Sequence, residues 1–396
     1  MRIANFMDSP LSQLKMKGNL SQALRLYNPK MVAEKVVHFT PDAADRVLKK
    51  QFEAYRVEVF PYYDRARAGI LGRAFRAPGA LWRVIGKLRR EKIDLIRGRL
   101  PYFGSLMGCI AGRLLGIPTV VSLGGNNRIP QVREGRYHFG SRWISFGTEA
   151  IVLRLCDVII APNRFTLAYV ADIIGKRAAD RKVQLIPWII DEPLAESHDL
   201  SRQRVRECGV DPDRPFILLV GHLNRYKYTR EMIEVAARVL SVHRDGIQFV
   251  FCGDGPLRAE GERKLAGISG VHFIGWQPNA AVLSLIRLAT VVLVPMSGFV
   301  LLEAAALGAS VVASAEEWHN ELIRDGKNGL LVRPGAVDEW CDAIYKIFDE
   351  PEMARVRGNA LRVSFRAGYA PDVALDAEAK LYKRLVGRTT LVTATG

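Results

Sequence analysis

Gly298 and Glu303 form the most chemically suggestive spacing in this 396-residue chain. They lie in SGFVLLEAAALG, where nearly every other side chain is small or apolar. An ionised carboxylate is rarely left in apolar company without a partner. A helix opening at Ser297-Gly298 presents backbone N–H groups, here of Phe299 and Val300, and the positive end of its dipole, which suits a phosphate. Glu303, one turn further in, can accept hydrogen bonds from the hydroxyls of a sugar joined to that phosphate. The segment runs on to Pro334 as a buried strand, a second helix start and a β-hairpin-like close.

Three other strand ends carry comparable residues. FILLV leads into Gly221-His222-Leu223-Asn224-Arg225-Tyr226-Lys227, where a glycine and a later cation can bring backbone and charge to a diphosphate. An ordinary basic surface loop would read the same way. FVFC ends in Gly253-Asp254-Gly255-Pro256, a tight turn into a helix shared by many strand–helix connections. HFIG delivers Trp276, either beside a base or packed as a core aromatic.

These residues need a scaffold of parallel strands. Arg2–Phe6, Val36–Thr40, Val57–Phe60, Asp94–Arg97, Thr119–Leu123, Val158–Ala161 and Gln184–Pro187 read as short apolar strands. Helical stretches such as Gly104–Leu115 and Arg164–Ile174 separate them. The rhythm repeats with Phe216–Val220, Gln248–Cys252, Val271–Ile274, Val291–Val294, Ser310–Ala313 and Gly329–Val332. Apolar strands alternating with helices indicate α/β parallel sheets covered on both faces. The expected architecture is two Rossmann-like domains with a deep interdomain cleft, where strand carboxyl ends collect ligands. Residues 1–190 and 191–370 form the domains, and a helix over 371–387 crosses back to the first. Residues 388–396 read as a loose tail.

Composition narrows the class. Hydrophobic residues make up 49% and charged residues 25%, a globular balance. No apolar run reaches the length of a membrane span, and the N-terminus lacks a signal-peptide profile. The five cysteines are scattered without metal-ligand spacing, which favours reduced core thiols and a cytoplasmic setting. Residues 1–192 hold 32 Lys+Arg against 16 Asp+Glu, while residues 193–396 hold 25 of each. The whole formal charge of +16 therefore lies in the first half, which suits anionic lipid, a phosphorylated acceptor or nucleic acid. No recognised nucleic-acid module accompanies it.

Residues 216–348 resemble the C-terminal domain of retaining GT-B glycosyltransferases of the family 4 type. That family's pattern reads Gly-Arg-Leu, then Lys, a G-x-G turn, and an E-x7-E motif closing in Glu-Ala-x-Ala-x-Gly. Here the matching residues are Gly221, Leu223, Lys227, Gly253, Gly255, Gly298, Glu303, Ala304, Ala306 and Gly308, followed by Glu321, Asp325, Gly326 and Gly329. DLIRGRLP, LLGIPTVVS, RLCDVIIAPN and VQLIPWIID extend the likeness into the first half. The resemblance implies that Lys227 neutralises a donor diphosphate and that Glu303 binds ribose hydroxyls. Gly298 and the N–H groups after it would meet phosphate, and backbone near Trp276 would hold the base. No cofactor or metal is expected beyond a nucleotide-diphosphate sugar as co-substrate.

Three positions depart from the pattern. His222 replaces the family's arginine, making one charge pH-dependent, and Arg225 can substitute. Pro295 stands where counting places the first glutamate, which in the family approaches the donor sugar. Asn126, in TVVSLGGNNR, follows the fifth strand where the family carries a histidine. Asparagine donates and accepts hydrogen bonds but is no base near neutral pH. Activity is expected to survive on Lys227 and the helix start at Gly298, with Lys227, Glu303 and Asn126 as the expected catalytic residues.

The basic half offers two acceptor-side candidates. In Gly72–Lys92, Leu81, Val84, Ile85 and Leu88 share one helical face and Arg83, Lys87 and Arg90 another. That suits docking on an anionic membrane, or simply a helix packed on its own sheet. Arg128, Arg133, Arg136, His138 and Arg142 interleave with Tyr137, Phe139 and Trp143, which suits a phosphorylated or lipid-linked acceptor. The expected activity is that of a hexosyltransferase-type enzyme in cell-surface polysaccharide or glycolipid synthesis, peripheral on the inner membrane face. A noncatalytic GT-B subunit that binds a nucleotide or a partner enzyme is the alternative. Nucleic acid is not an expected partner.

Overall fold

Each of the thirteen apolar runs forms a strand in the computed structural model. The structure describes residues 1–7, 28–40, 56–62, 70–126, 128, 139–190, 197–242, 246–296 and 298–394, with backbone alone at 70–77, 139–144 and 388–394. The first seven strands are β1 (Arg2–Met7), β2 (Lys35–Thr40), β3 (Val57–Pro61), β4 (Leu95–Arg99), β5 (Thr119–Ser122), β6 (Val158–Ala161) and β7 (Val183–Leu185). They make one parallel sheet in the order β3-β2-β1-β4-β5-β6-β7. β8 (Phe216–Val220), β9 (Gln248–Cys252), β10 (Val271–Gly275), β11 (Val291–Val294), β12 (Val311–Ser314) and β13 (Leu330–Val332) make a second. Its order is β10-β9-β8-β11-β12-β13, again with parallel pairs. Both sheets are Rossmann-like α/β: central β8 and β11 are apolar along their length, as strands covered on both faces require, while β4 of the first sheet carries Arg97 among its apolar residues.

The chain divides into a unit of residues 1–189 with 372–396, and a unit of residues 190–371. In the first, helix Pro371–Ala394 lays Ala374, Leu381, Tyr382 and Leu385 against Ile3, Val36, Leu95 and Val120 of the sheet. Beneath it, buried Arg97 meets buried Glu378 at 2.6 Å, and the Tyr382 hydroxyl donates to the same carboxylate. Such a pair is costly to break, because either charge left alone stays out of water. The helix runs on to Ala394, through most of the segment read as a loose tail, since no proline stops it.

The core of the second unit gathers Phe249 and Phe251 with Val239, Leu293, Trp340 and Ile344. All five cysteines are free thiols, and burial pushes those of Cys156 and Cys252 up to about 12. The hairpin-like close does not form. β13 pairs parallel with β12, and a turn from Asp325 to Gly329 precedes it. The strand is an outer member of the sheet, and helix His319–Leu322 lies in the connection that leads to it from β12.

Candidate functional site

The second sheet reverses its strand order between β8 and β11. Connections leaving two such neighbours diverge to opposite faces and open a crevice at their carboxyl ends. A cavity of about 140 Å³ lies there, lined by Gly221, His222, Leu223 and Lys227 on one side and Pro295, Met296, Gly298 and Val300 on the other.

Lys227 closes a short 3-10 turn, Arg225–Lys227, whose start is capped by Asn224: its side-chain oxygen accepts from the Lys227 N–H at 2.9 Å. The lysine Nζ donates to the Met296 carbonyl at 3.4 Å and lies 5.5 Å from the centre of the Tyr226 ring. A Cβ placed on Gly298 would stand 3.5 Å from that Nζ, so the cation faces the opening of helix Phe299–Leu307. Gly298 has an extended φ of 169°, which any residue can adopt. Its contribution is therefore a helix start with no side chain in front of the N–H groups. Ser297 lies outside the described residues. Phe299 points to solvent, while Val300 faces the cavity.

Glu303 sits on the same helix, half-buried and outside the cavity wall. Burial pushes its carboxyl above the ordinary range, and the Asn279 side-chain amide, donating at 3.1 Å, pulls it back. Asn279 opens the helix that follows Trp276. Trp276 is 63% exposed, so it is not the packed core aromatic its sequence setting also allowed.

The G-x-G turn has a cause of its own. A Cβ on Gly253 would fall 1.9 Å from the Gly221 carbonyl oxygen, and one on Gly255 would fall 2.4 Å from that of Leu223. The loops after β8 and β9 close on each other there: the Leu223 N–H donates to the Asp254 carbonyl at 2.9 Å. These two glycines are required by backbone contact whether or not a ligand is near. His222 reaches the cavity; Arg225 is exposed and does not line it.

Several residues at this site were not singled out from the sequence. The Tyr228 hydroxyl donates to Glu316 at 2.7 Å, and the Tyr226 hydroxyl to Glu317 at 3.2 Å. Beside these acids the buried ring of His319 donates from Nδ1 to the Ser314 carbonyl at 2.9 Å. Burial, aided by the nearby Lys227 charge, holds this imidazole down to about 4, so it is neutral. The available signal was an acid pair, AEEW, directly after a strand end.

In the first unit, the Asn126 side-chain oxygen accepts from the Arg128 N–H at 3.0 Å. Arg128 in turn bonds buried Glu149 at 2.9 Å and stacks over Phe146 at 4.5 Å. Asn126 thus holds the backbone of Arg128. Arg133, Arg136, His138 and Tyr137 lie outside the described residues, as do the side chains of Phe139, Arg142 and Trp143.

Helix Ile70–Arg90 buries Ala80, Val84, Ile85 and Leu88 in its own unit's core. Lys87 is taken up by Glu58 at 2.5 Å and Glu91 at 2.6 Å. Trp82 is 71% exposed on the outer face, with Arg83, Arg89 and Arg90 also exposed. No described helix is long and apolar enough to cross a membrane.

Comparison with known proteins matches both units to sugar-transferring families. Residues 34–192 match the family model Glycosyltransferase Family 4, and residues 202–363 match Glycosyl transferases group 1. The alpha-D-kanosaminyltransferase of Streptomyces kanamyceticus is 29% identical over 300 residues, covering 70% of this chain and 73% of that protein. The D-inositol 3-phosphate glycosyltransferase of Kribbella flavida is 30% identical over 227 residues, covering 54% of this chain and 53% of that protein; the match thus spans about half its length. Among solved structures, Anabaena Alr3699/HepE in complex with UDP aligns at a TM-score of 0.75 and 18% identity, over 97% of this chain and 100% of that one. This last likeness concerns the fold. Glycosyltransferase family models thus match both units in order along one chain, and the two-sheet fold is that of the GT-B glycosyltransferases.

Proposed function

We propose that the chain moves a hexose-type sugar from a nucleotide diphosphate to a glycan or lipid-linked acceptor, with retention and without a metal. One observation carries this reading: the Lys227 ammonium faces the helix opening at Gly298 across the cavity, with Glu303 one turn along that helix. Negative charge developing on a departing diphosphate would meet a cation and a set of aligned N–H groups already in place. Glu303 would accept from the ribose hydroxyls, with Trp276 near the base. Asn126 would bond the acceptor without acting as a base. The solved structures of Anabaena HepE with UDP and with UDP-glucose support a uridine donor as the first to try. The matches to the Glycosyltransferase Family 4 and Glycosyl transferases group 1 models support sugar transfer.

The test is nucleotide release from a panel of UDP- and GDP-sugars with glycan and lipid-linked acceptors. Release with at least one donor, lost in Lys227→Ala and weakened in Glu303→Ala, is expected. One feature favours the noncatalytic alternative: Pro295 and Met296 present apolar surface where the family's sugar-reaching acid is expected. Nucleotide binding without turnover across the panel would establish that alternative.

The proposed setting is peripheral, on the cytoplasmic face of an anionic membrane. Trp82 with Arg83, Arg89 and Arg90 supports it, because an exposed indole beside arginines suits the lipid headgroup layer. The apolar face of that helix is spent on its own core. Synthesis of cell-surface polysaccharide or glycolipid would follow from such a position.

A further inference from the structure

Two loops from different strands are fastened together beside the cavity. Tyr226 and Tyr228 flank Lys227 after β8, and their hydroxyls reach Glu317 and Glu316 after β12. Each connection contains a residue in the left-handed region that side chains seldom enter: Tyr228 at φ 52° and Glu317 at φ 51°. Each of these residues is also one end of a Tyr–Glu hydrogen bond, so each loop holds the other in its costly shape. Just beyond the acids, buried His319 bonds Ser314, whose hydroxyl donates to the Pro295 carbonyl at 2.9 Å. The β12 connection therefore grips both walls of the cavity, the Lys227 turn on one side and the Pro295–Met296 segment on the other.

Two carboxylates bonded to the neighbours of Lys227, though outside the cavity wall, would oppose a diphosphate there by like charge. Their presence needs an offsetting gain, and the cation between the two tyrosines supplies it. A lysine on a flexible stem loses side-chain freedom when it meets an anion, and a turn fixed beforehand reduces that loss. We propose that Glu316 and Glu317, acting through Tyr228 and Tyr226, are positioning residues that hold Lys227 ready for the donor diphosphate. This inference rests on the nucleotide-sugar reading above.

Isothermal titration of the full chain with UDP, GDP and inorganic pyrophosphate tests it, using Tyr228→Phe, Glu316→Ala and Glu317→Gly with and without Lys227→Ala. Tyr228→Phe and Glu316→Ala should each weaken binding about tenfold, and together no more than either alone. None should weaken it further once Lys227 is alanine. Glu317→Gly relieves the backbone while removing the carboxylate, so it should keep or raise the melting temperature and still lose affinity. Equal losses in both Lys227 backgrounds, or unchanged affinity in every variant of a binding-competent chain, would overturn the positioning role. A wild-type chain that binds none of the three ligands would overturn the donor reading itself, and this role with it.

Discussion

The hydroxyl of Ser314 donates to the carbonyl of Pro295 across 2.9 Å, joining the end of β12 to the first residue after β11. Ser314 is fully buried, and Pro295 is buried with it. That bond holds Pro295, and with it one wall of the cavity. Ser314→Ala leaves a buried carbonyl without its donor, at a cost of about 1–3 kcal/mol. Urea unfolding measures the cost directly. A variant as stable as wild type would show that the carbonyl finds another partner and that the bond does not shape the loop.

Glu303 links stability to pH. Burial raises its carboxyl above the ordinary value of 4.5, so the folded chain holds that proton more tightly than the unfolded chain. The sign follows: the group's contribution is fully present below the unfolded value and is lost as pH rises through the folded one. Glu303→Gln mimics the protonated form, so it should melt higher than wild type at about pH 7, with the advantage fading near pH 4. Nucleotide affinity should fall at the same time. Melting curves across that range check the first part, and an advantage independent of pH would refute it.

Gly253→Ala should fail as a fold rather than as a binding site. The new methyl would meet the Gly221 carbonyl oxygen at 1.9 Å, at a backbone φ of 143° that disfavours any Cβ. The expected cost exceeds about 3 kcal/mol. Soluble yield and melting temperature report it. Normal stability with lost nucleotide binding would instead assign this glycine to the ligand.

Membrane docking can be read from vesicle flotation. Wild type should bind vesicles containing phosphatidylglycerol and ignore pure phosphatidylcholine. Trp82→Ser and the pair Arg89→Glu/Arg90→Glu should each reduce binding by about tenfold, the charge pair more strongly at low salt. Equal binding by all variants would remove this helix face from the proposal. Failure of wild type to bind anionic vesicles would remove the membrane itself.

The scaffold was legible from the sequence because its signals are local. Runs such as FILLV, QFVFC and VVLV declare buried parallel strands within a few residues, and they form β8, β9 and β11. The order of motifs along the chain then placed Gly221, Lys227, Gly298 and Val300 at strand ends, and the cavity collects all four. Where local cues misled, the cause was non-local. The turn before β13 resembles a hairpin, yet the neighbour that strand pairs with runs parallel to it.

What the sequence by itself determined is the sheet-forming pattern and the residue types available at each strand end. Only the tertiary structure decided which strand ends became neighbours. The reversal between β8 and β11 opens the cavity, and the placing of β12 beside β11 brings Glu316 and Glu317 to tyrosines 88 and 91 residues away. Hydrogen bonds across such separations carry no periodicity in the chain. They exist because strand order sets distance, and strand order is settled by how all the strands and helices pack together.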